Sequence, residues 1–219
     1  MFNTSTMTML LTETWETLYM TVASTFLAYV IGLPLGTLLA VTDKNGIRPM
    51  PWFNKITGVI VNILRSVPFL ILMITVMPVT RFIVGTTIGS GATIVPLVIA
   101  AAPFVARLVE SSIKEVDQGV VEAAQSMGAS NWQIITKVLL PEAKSPLLVG
   151  SAIAITTILG YSAMSGIVGG GGLGNVAIQH GYYRGETDLM LVTVIILVII
   201  VQIFQEVGMK IANHCDKKL

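Results

Sequence analysis

Four stretches of this 219-residue chain run without Asp, Glu, Lys or Arg for longer than a water-soluble surface allows: Thr17–Thr42 (26 residues), Phe82–Ala106 (25), Ser145–Tyr183 (39) and Leu189–Gln205 (17). A helix needs roughly 17–25 mostly apolar residues to cross the hydrocarbon layer of a bilayer, so each run reads as a crossing. The remaining sequence cannot supply a hydrated exterior, because only 11% of the chain is charged against about 25% in a soluble domain. A fifth stretch, 56–84, is apolar apart from Arg65 and Arg81 and is read as one helix with a buried or snorkelling Arg65. The 39-residue run can in principle cross twice, but its second half, Gly166–Gly185, holds eight of the chain's 20 glycines. Glycine at that density suits a bent loop better than a lipid-facing helix. The expectation is an all-α polytopic membrane protein, one domain over 1–219, with five spans at about 17–41, 56–84, 90–110, 146–168 and 189–209.

Ten of the 13 basic residues fall on one side of this arrangement: Lys44, Arg48, Lys55, Arg107, Lys114, Lys137, Lys144, Lys210, Lys217 and Lys218. Lys and Arg accumulate in cytoplasmic loops, which places the N-terminus outside and the C-terminus in the cytoplasm. The first basic residue is Lys44, so the N-terminus lacks the charged start of a signal peptide and the first span is read as retained. A net charge of +1 argues against a nucleic-acid partner, which calls for clustered cations. The single Cys215 forms no internal disulfide, and His180 and His214 are too far apart to suggest a metal site. Small residues and prolines recur within the spans, as in Gly32-Leu-Pro-Leu-Gly36. They serve either helix packing and kinking or bent helices around a cavity.

The largest basic loop, Arg107–Lys144, is too ordered in composition for a linker. Asp117 is a good N-cap for a helix over Gln118–Met127, whose Ala123 and Ala124 permit close approach of another backbone. Gly128 suits the left-handed turn after a helix. Ser130-Asn-Trp-Gln133 matches a capping box and opens a second helix with Trp132, Ile135 and Leu139 expected on one face and Pro141 as its end. Together these residues spell Glu122-Ala123-Ala124, three residues, Gly128, nine residues, then Val138-Leu139-Leu140-Pro141. The pattern resembles the EAA loop of ATP-binding-cassette importer permeases, with Val138 in place of the family's isoleucine. That resemblance implies a type I importer permease fold. It makes about 115–141 a cytoplasmic coupling loop, with Glu122, Ala123, Ala124, Gly128, Leu140 and Pro141 meeting an ATPase; by the residues alone, Glu122 can instead cap its own helix.

Further stretches extend the resemblance. Trp15-Glu-Thr-Leu18, Leu64-Arg-Ser-Val-Pro-Phe69, Ala101-Ala-Pro-Phe-Val-Ala-Arg107, Gly160-Tyr-Ser-Ala-Met-Ser-Gly166 and Gly170-Gly-Gly-Leu-Gly174 look like the permease of bacterial methionine importers. That family implies a homodimer of five-helix subunits with two ATPase subunits below and a methionine-binding lipoprotein above, carrying L- or D-methionine through the inner membrane. A permease for another small solute, such as a polar amino acid or a metal-chelate, would keep all but the Gly-Tyr-Ser-Ala-Met segment. The chain itself is not expected to be an enzyme. No lysine follows a glycine, so a phosphate loop is absent and ATP and Mg belong to the partner. For the pathway, Tyr161, Ser162 and Met164 lie on the fourth span, where the Met164 thioether offers soft contact to a thioether substrate or simply packs. Arg65 either snorkels or holds a polar contact across the dimer or pathway.

Overall fold

The computed structural model describes residues 4–215; Lys217 and Lys218 of the basic tail lie outside the described residues. Among the described residues the secondary structure is helical, without strands. Helix α1 spans Thr4–Thr42, beginning well before the expected span. It leaves Leu11, Trp15, Phe26 and Val30 exposed along one stripe and buries Met20, Ala28 and Gly32. The pattern is that of a helix between lipid and protein, because the apolar residues face both ways. Most of its threonine hydroxyls donate to carbonyls one turn back, as Thr25 Oγ1 does to Thr21 at 2.7 Å, a bond that satisfies them inside the helix, whereas the Thr21 and Ser24 hydroxyls are buried without a partner among the described residues.

Helix α4 (Ser90–Lys114) lies along α1. Gly32 faces Val105 and Ala102, Gly36 faces Ala106 and Val109, and neither glycine has space for a Cβ. The small-residue step is thus a packing seam. Helix α8 (Lys144–Met164), prolonged by a 3-10 turn over Ser165–Val168, packs on α4 and α1, and α10 (Thr187–His214) packs on α8.

The continuous helix expected over 56–84 is corrected: α2 (Pro51–Ser66) and α3 (Phe69–Val84) meet at an angle of 105°. Pro68 is the reason. It has no N–H to continue the ladder and it drives the residue before it out of the helical region, and Val67 is extended at φ −77°, ψ 123°. Arg65 consequently sits in the last turn of α2. The bent loop expected over Gly166–Gly185 is also corrected, being largely helical: α9 (Gly172–Asn175) runs into a wide π turn over Val176–Tyr182. Leu173 and Val176 are buried, so this segment has an apolar side that folds back onto α1 and α10.

The three basic segments come together at one end of the bundle. Lys114, at the end of α4, bridges Asp43 at the end of α1 at 2.9 Å, and the Ser145 hydroxyl at the start of α8 donates to Ala212 O near the end of α10. At the opposite end Leu173 N donates to Thr17 Oγ1 at 2.8 Å, and the Thr93 hydroxyl donates to Gly170 O at 3.1 Å.

Candidate functional site

The segment between α4 and α8 forms two helices joined by a glycine turn. Asp117 caps α5 (Gln118–Ser126), its side chain accepting from Gly119 N at 2.7 Å. Gly128 closes the helix at φ +77°, with Gly128 N donating to Gln125 O and Ala129 N to Ala124 O. The capping box at Ser130 is complete, Gln133 N donating to the Ser130 hydroxyl and Ser130 N to Gln133 Oε1 at 2.8 Å. Helix α6 (Asn131–Ile134) widens into a π turn over Ile135–Leu139 and ends in α7 (Leu140–Glu142).

Two details differ from the sequence expectation. Trp132 does not share the inward face, being 72% exposed while Ile134 and Leu139 are buried; the extra residue of the π turn shifts the register of everything after it. Nor does Pro141 end the helix. It occupies the first turn of α7, where a missing N–H leaves no bond broken.

The inward face joins this segment to the spans. Val121, Ala124, Ile134 and Leu139 belong to the same apolar cluster as Ile113, Val109, Val105 and Leu97 of α4, Met20 of α1 and Ile158 of α8. The outward face presents Glu122, Ala123, Met127 and Trp132, and the Glu122 side chain has no hydrogen-bond or ion-pair partner among the described residues. Asp117, not Glu122, supplies the cap. Of the remaining expected coupling residues, Gly128 and Pro141 are exposed and Leu140 is half-buried.

A charged bracket behind the segment had no sequence signal, since its members are scattered. Glu110, 7% exposed, accepts from Arg107 and from Lys114, the latter at 2.7 Å. Arg107 also donates to Gly58 O and Asn62 Oδ1, both at 2.8 Å, tying α2 to α4. Lys114 beside Asp43 holds that carboxyl below the usual carboxylate range. A carboxyl depressed in the folded state stabilises at neutral pH and loses that contribution as pH falls through its folded value. With Lys114 at 44% side-chain exposure, Asp43→Asn should lower thermal stability by less than about 1 kcal/mol at neutral pH. In strong acid the variant and the parent should melt together, as detergent-solubilised unfolding curves would show.

The expected pathway residues divide. Tyr161 stacks on Phe69 of α3, ring centroids 4.6 Å apart and planes 6° apart. Met164 is 48% exposed in the protomer. Ser162 is turned inward, 1% exposed, with its hydroxyl donating to Leu159 O at 2.8 Å. Arg65 is exposed and lies over the Phe104 ring of α4 at 5.7 Å. Phe69 and Phe104 are the residues sequence reading missed, because only the α2–α3 bend brings them beside Arg65 and Tyr161.

The family model for binding-protein-dependent transport system inner membrane components matches residues 32–217. The probable D-methionine transport system permease protein MetI of Vibrio cholerae serotype O1 is 51% identical over 210 residues, covering 96% of this chain and 93% of that protein. The methionine import system permease protein MetP of Bacillus subtilis is 44% identical over 212 residues, 95% of this chain and 96% of that one. A native crystal form of the MetNI methionine ABC transporter, solved in inward-facing conformations, contains a chain that superposes with a TM-score of 0.97 at 44% identity over 99% of this chain and 100% of that one. With residues 32–217 matched by the family model and nearly the whole chain matched by these relatives, the chain belongs to the binding-protein-dependent transport system inner membrane components, as a multi-pass ABC importer permease.

Proposed function

We propose that this chain forms the methionine pathway of an ATP-driven importer, working as a homodimer with two ATPase subunits in the cytoplasm and a methionine-binding protein outside. The N-terminus then lies outside and the C-terminus in the cytoplasm, with the end that carries Lys44, Lys114 and Lys144 facing the ATPases. The observation that carries this reading is the shared core. Val121, Ala124, Ile134 and Leu139 pack in one cluster with α1, α4 and α8, so a push on the exposed Glu122–Trp132 face moves the spans as a body. The partner chain holds ATP and Mg and performs the hydrolysis; this chain transmits its result. Converting a 1:99 equilibrium to 99:1 takes about 5.5 kcal/mol of differential binding, which closure of two ATPases around nucleotide can supply. Tyr161, Met164 and Arg65 line the route, with Met164 as a soft gate where the two copies meet.

The test is reconstitution of the chain with an ATPase and a binding protein encoded beside it, followed by uptake of labelled methionine against a panel of amino acids. Methionine-selective uptake that stops without ATP is the expected result. Selective uptake of another solute would overturn the substrate, and failure to recruit an ATPase would overturn the role of Glu122–Pro141.

A further inference from the structure

Within the apolar stretch 56–84, Arg65 is the one charge besides Arg81, and it has no ion pair or hydrogen bond among the described residues. An uncompensated guanidinium is costly in hydrocarbon. The break beside it adds a second constraint: Val67 and Pro68 are non-helical and exposed, and irregular backbone at membrane depth persists only against protein or a water-filled cavity. Both conditions are met if this corner faces the transport route.

The level of the corner follows from its neighbours. Arg107 bonds α2 at Gly58 and Asn62, whereas Arg65 meets Phe104, one turn deeper along α4. The nearest acid on α4 is Glu110, already held by Arg107 and Lys114. No Asp or Glu occurs anywhere in 17–42, 56–109 or 145–185. Segments 17–42, 56–109 and 145–185 of a second copy therefore bring Arg65 no carboxylate, Glu206 on α10 is the one acid between Leu189 and His214, and an anion carried with the cargo fits the guanidinium.

We propose that the α2–α3 corner is a transit site for a zwitterionic amino acid: the Arg65 guanidinium takes the carboxylate, and the aromatic wall of Phe69, Phe104 and Tyr161 takes the apolar side chain. This deepens the methionine-importer reading and rests on it. The contact with Phe104 is weak and leaves the planar donor fork open, and that fork matches a carboxylate in a bidentate pair. Phe69 is buried and backs the half-buried Tyr161 ring, whose open face suits a thioether through sulfur–aromatic contact. Met164 follows Tyr161 by one helical turn and continues the same soft surface.

The complete transporter is tested in liposomes, in a Cys215→Ser background that removes the chain's single cysteine. Arg65→Cys should reduce ATP-driven methionine uptake by about tenfold or more while ATPase activity stays within about a factor of two of the parent. Aminoethyl methanethiosulfonate, which restores a positive charge, should return uptake. The neutral hydroxyethyl reagent should not, and saturating methionine should slow labelling of the cysteine. Unchanged uptake in Arg65→Cys, equal rescue by both reagents, or labelling indifferent to methionine would each overturn the site. If the cysteine variant fails to assemble, Arg65→Lys and Arg65→Gln are compared: uptake kept by lysine and lost by glutamine supports the site, and parity between them refutes it. A parent complex that carries no methionine would instead overturn the function, so the two failures are distinct.

Discussion

Gly128→Val is expected to leave a transporter that assembles and hydrolyses ATP but imports about tenfold less methionine, or none. At φ +77° the residue lies in the left-handed region, where a β-branched side chain is strained by about 1–3 kcal/mol. Space is not the obstacle, because a Cβ at Gly128 meets nothing within 4 Å. The penalty is therefore purely one of backbone conformation, and it falls on the turn that holds Ala124 and Ile134 in one core at once. Relaxing the turn frees α5 or α6 to leave that core, and a nucleotide-driven push is then absorbed by the joint between them. Asparagine tolerates the left-handed region, so Gly128→Asn should keep most of the uptake that Gly128→Val loses. Uptake and ATPase rates measured side by side in liposomes decide the matter. Parity of the valine variant with the parent would refute rigid transmission through this turn.

The signals legible in the sequence were those written in neighbouring residues. Asp117, Gly128 and the Ser130–Gln133 box act within three residues of themselves, and each does in the structure what its residue type requires. The long charge-free runs announced the spans for the same reason, since crossing a bilayer is a constraint on consecutive residues. What sequence missed depends on geometry that no local pattern carries. Pro68 alone does not reveal a 105° break; Pro34, Pro96 and Pro103 lie inside α1 and α4 without ending them. Only with Val67 extended does the corner form, with Arg65 over Phe104 and Phe69 stacked on Tyr161. The π turn at Ile135–Leu139 likewise inserts one residue into the helical register. A 3.6-residue reading then assigned Trp132 to the wrong face.

Gly174→Ala is expected to be the most damaging single-methyl addition in the chain. A Cβ there would overlap the Ala163 carbonyl oxygen and lie 2.6 Å from its carbonyl carbon. Gly166, in the 3-10 turn that prolongs α8, faces Gly174 across the same crossing, its own missing Cβ directed at Gly174 and at Asn175 N, 2.5 Å away. Every atom in the way is backbone, so no rotamer change relieves the clash and α9 must move off α8. That displacement also pulls Leu173 N from Thr17 Oγ1 and opens the end of the bundle opposite Lys114, where α1, α8 and α9 are pinned to one another. Overpacking typically costs 1–3 kcal/mol, and a backbone-on-backbone overlap belongs at or above about 3 kcal/mol on that scale. The expected outcome is a large fall in the unfolding temperature of the detergent-purified protein, or its loss during purification. Gly91→Ala is the matched control, because a Cβ at Gly91 meets nothing within 4 Å in the first turn of α4 and alanine is the better helix former. A Gly174→Ala protein that melts with the parent would show that α9 is free to shift, and the C-terminal end of α8 would then have to be held by something other than this crossing.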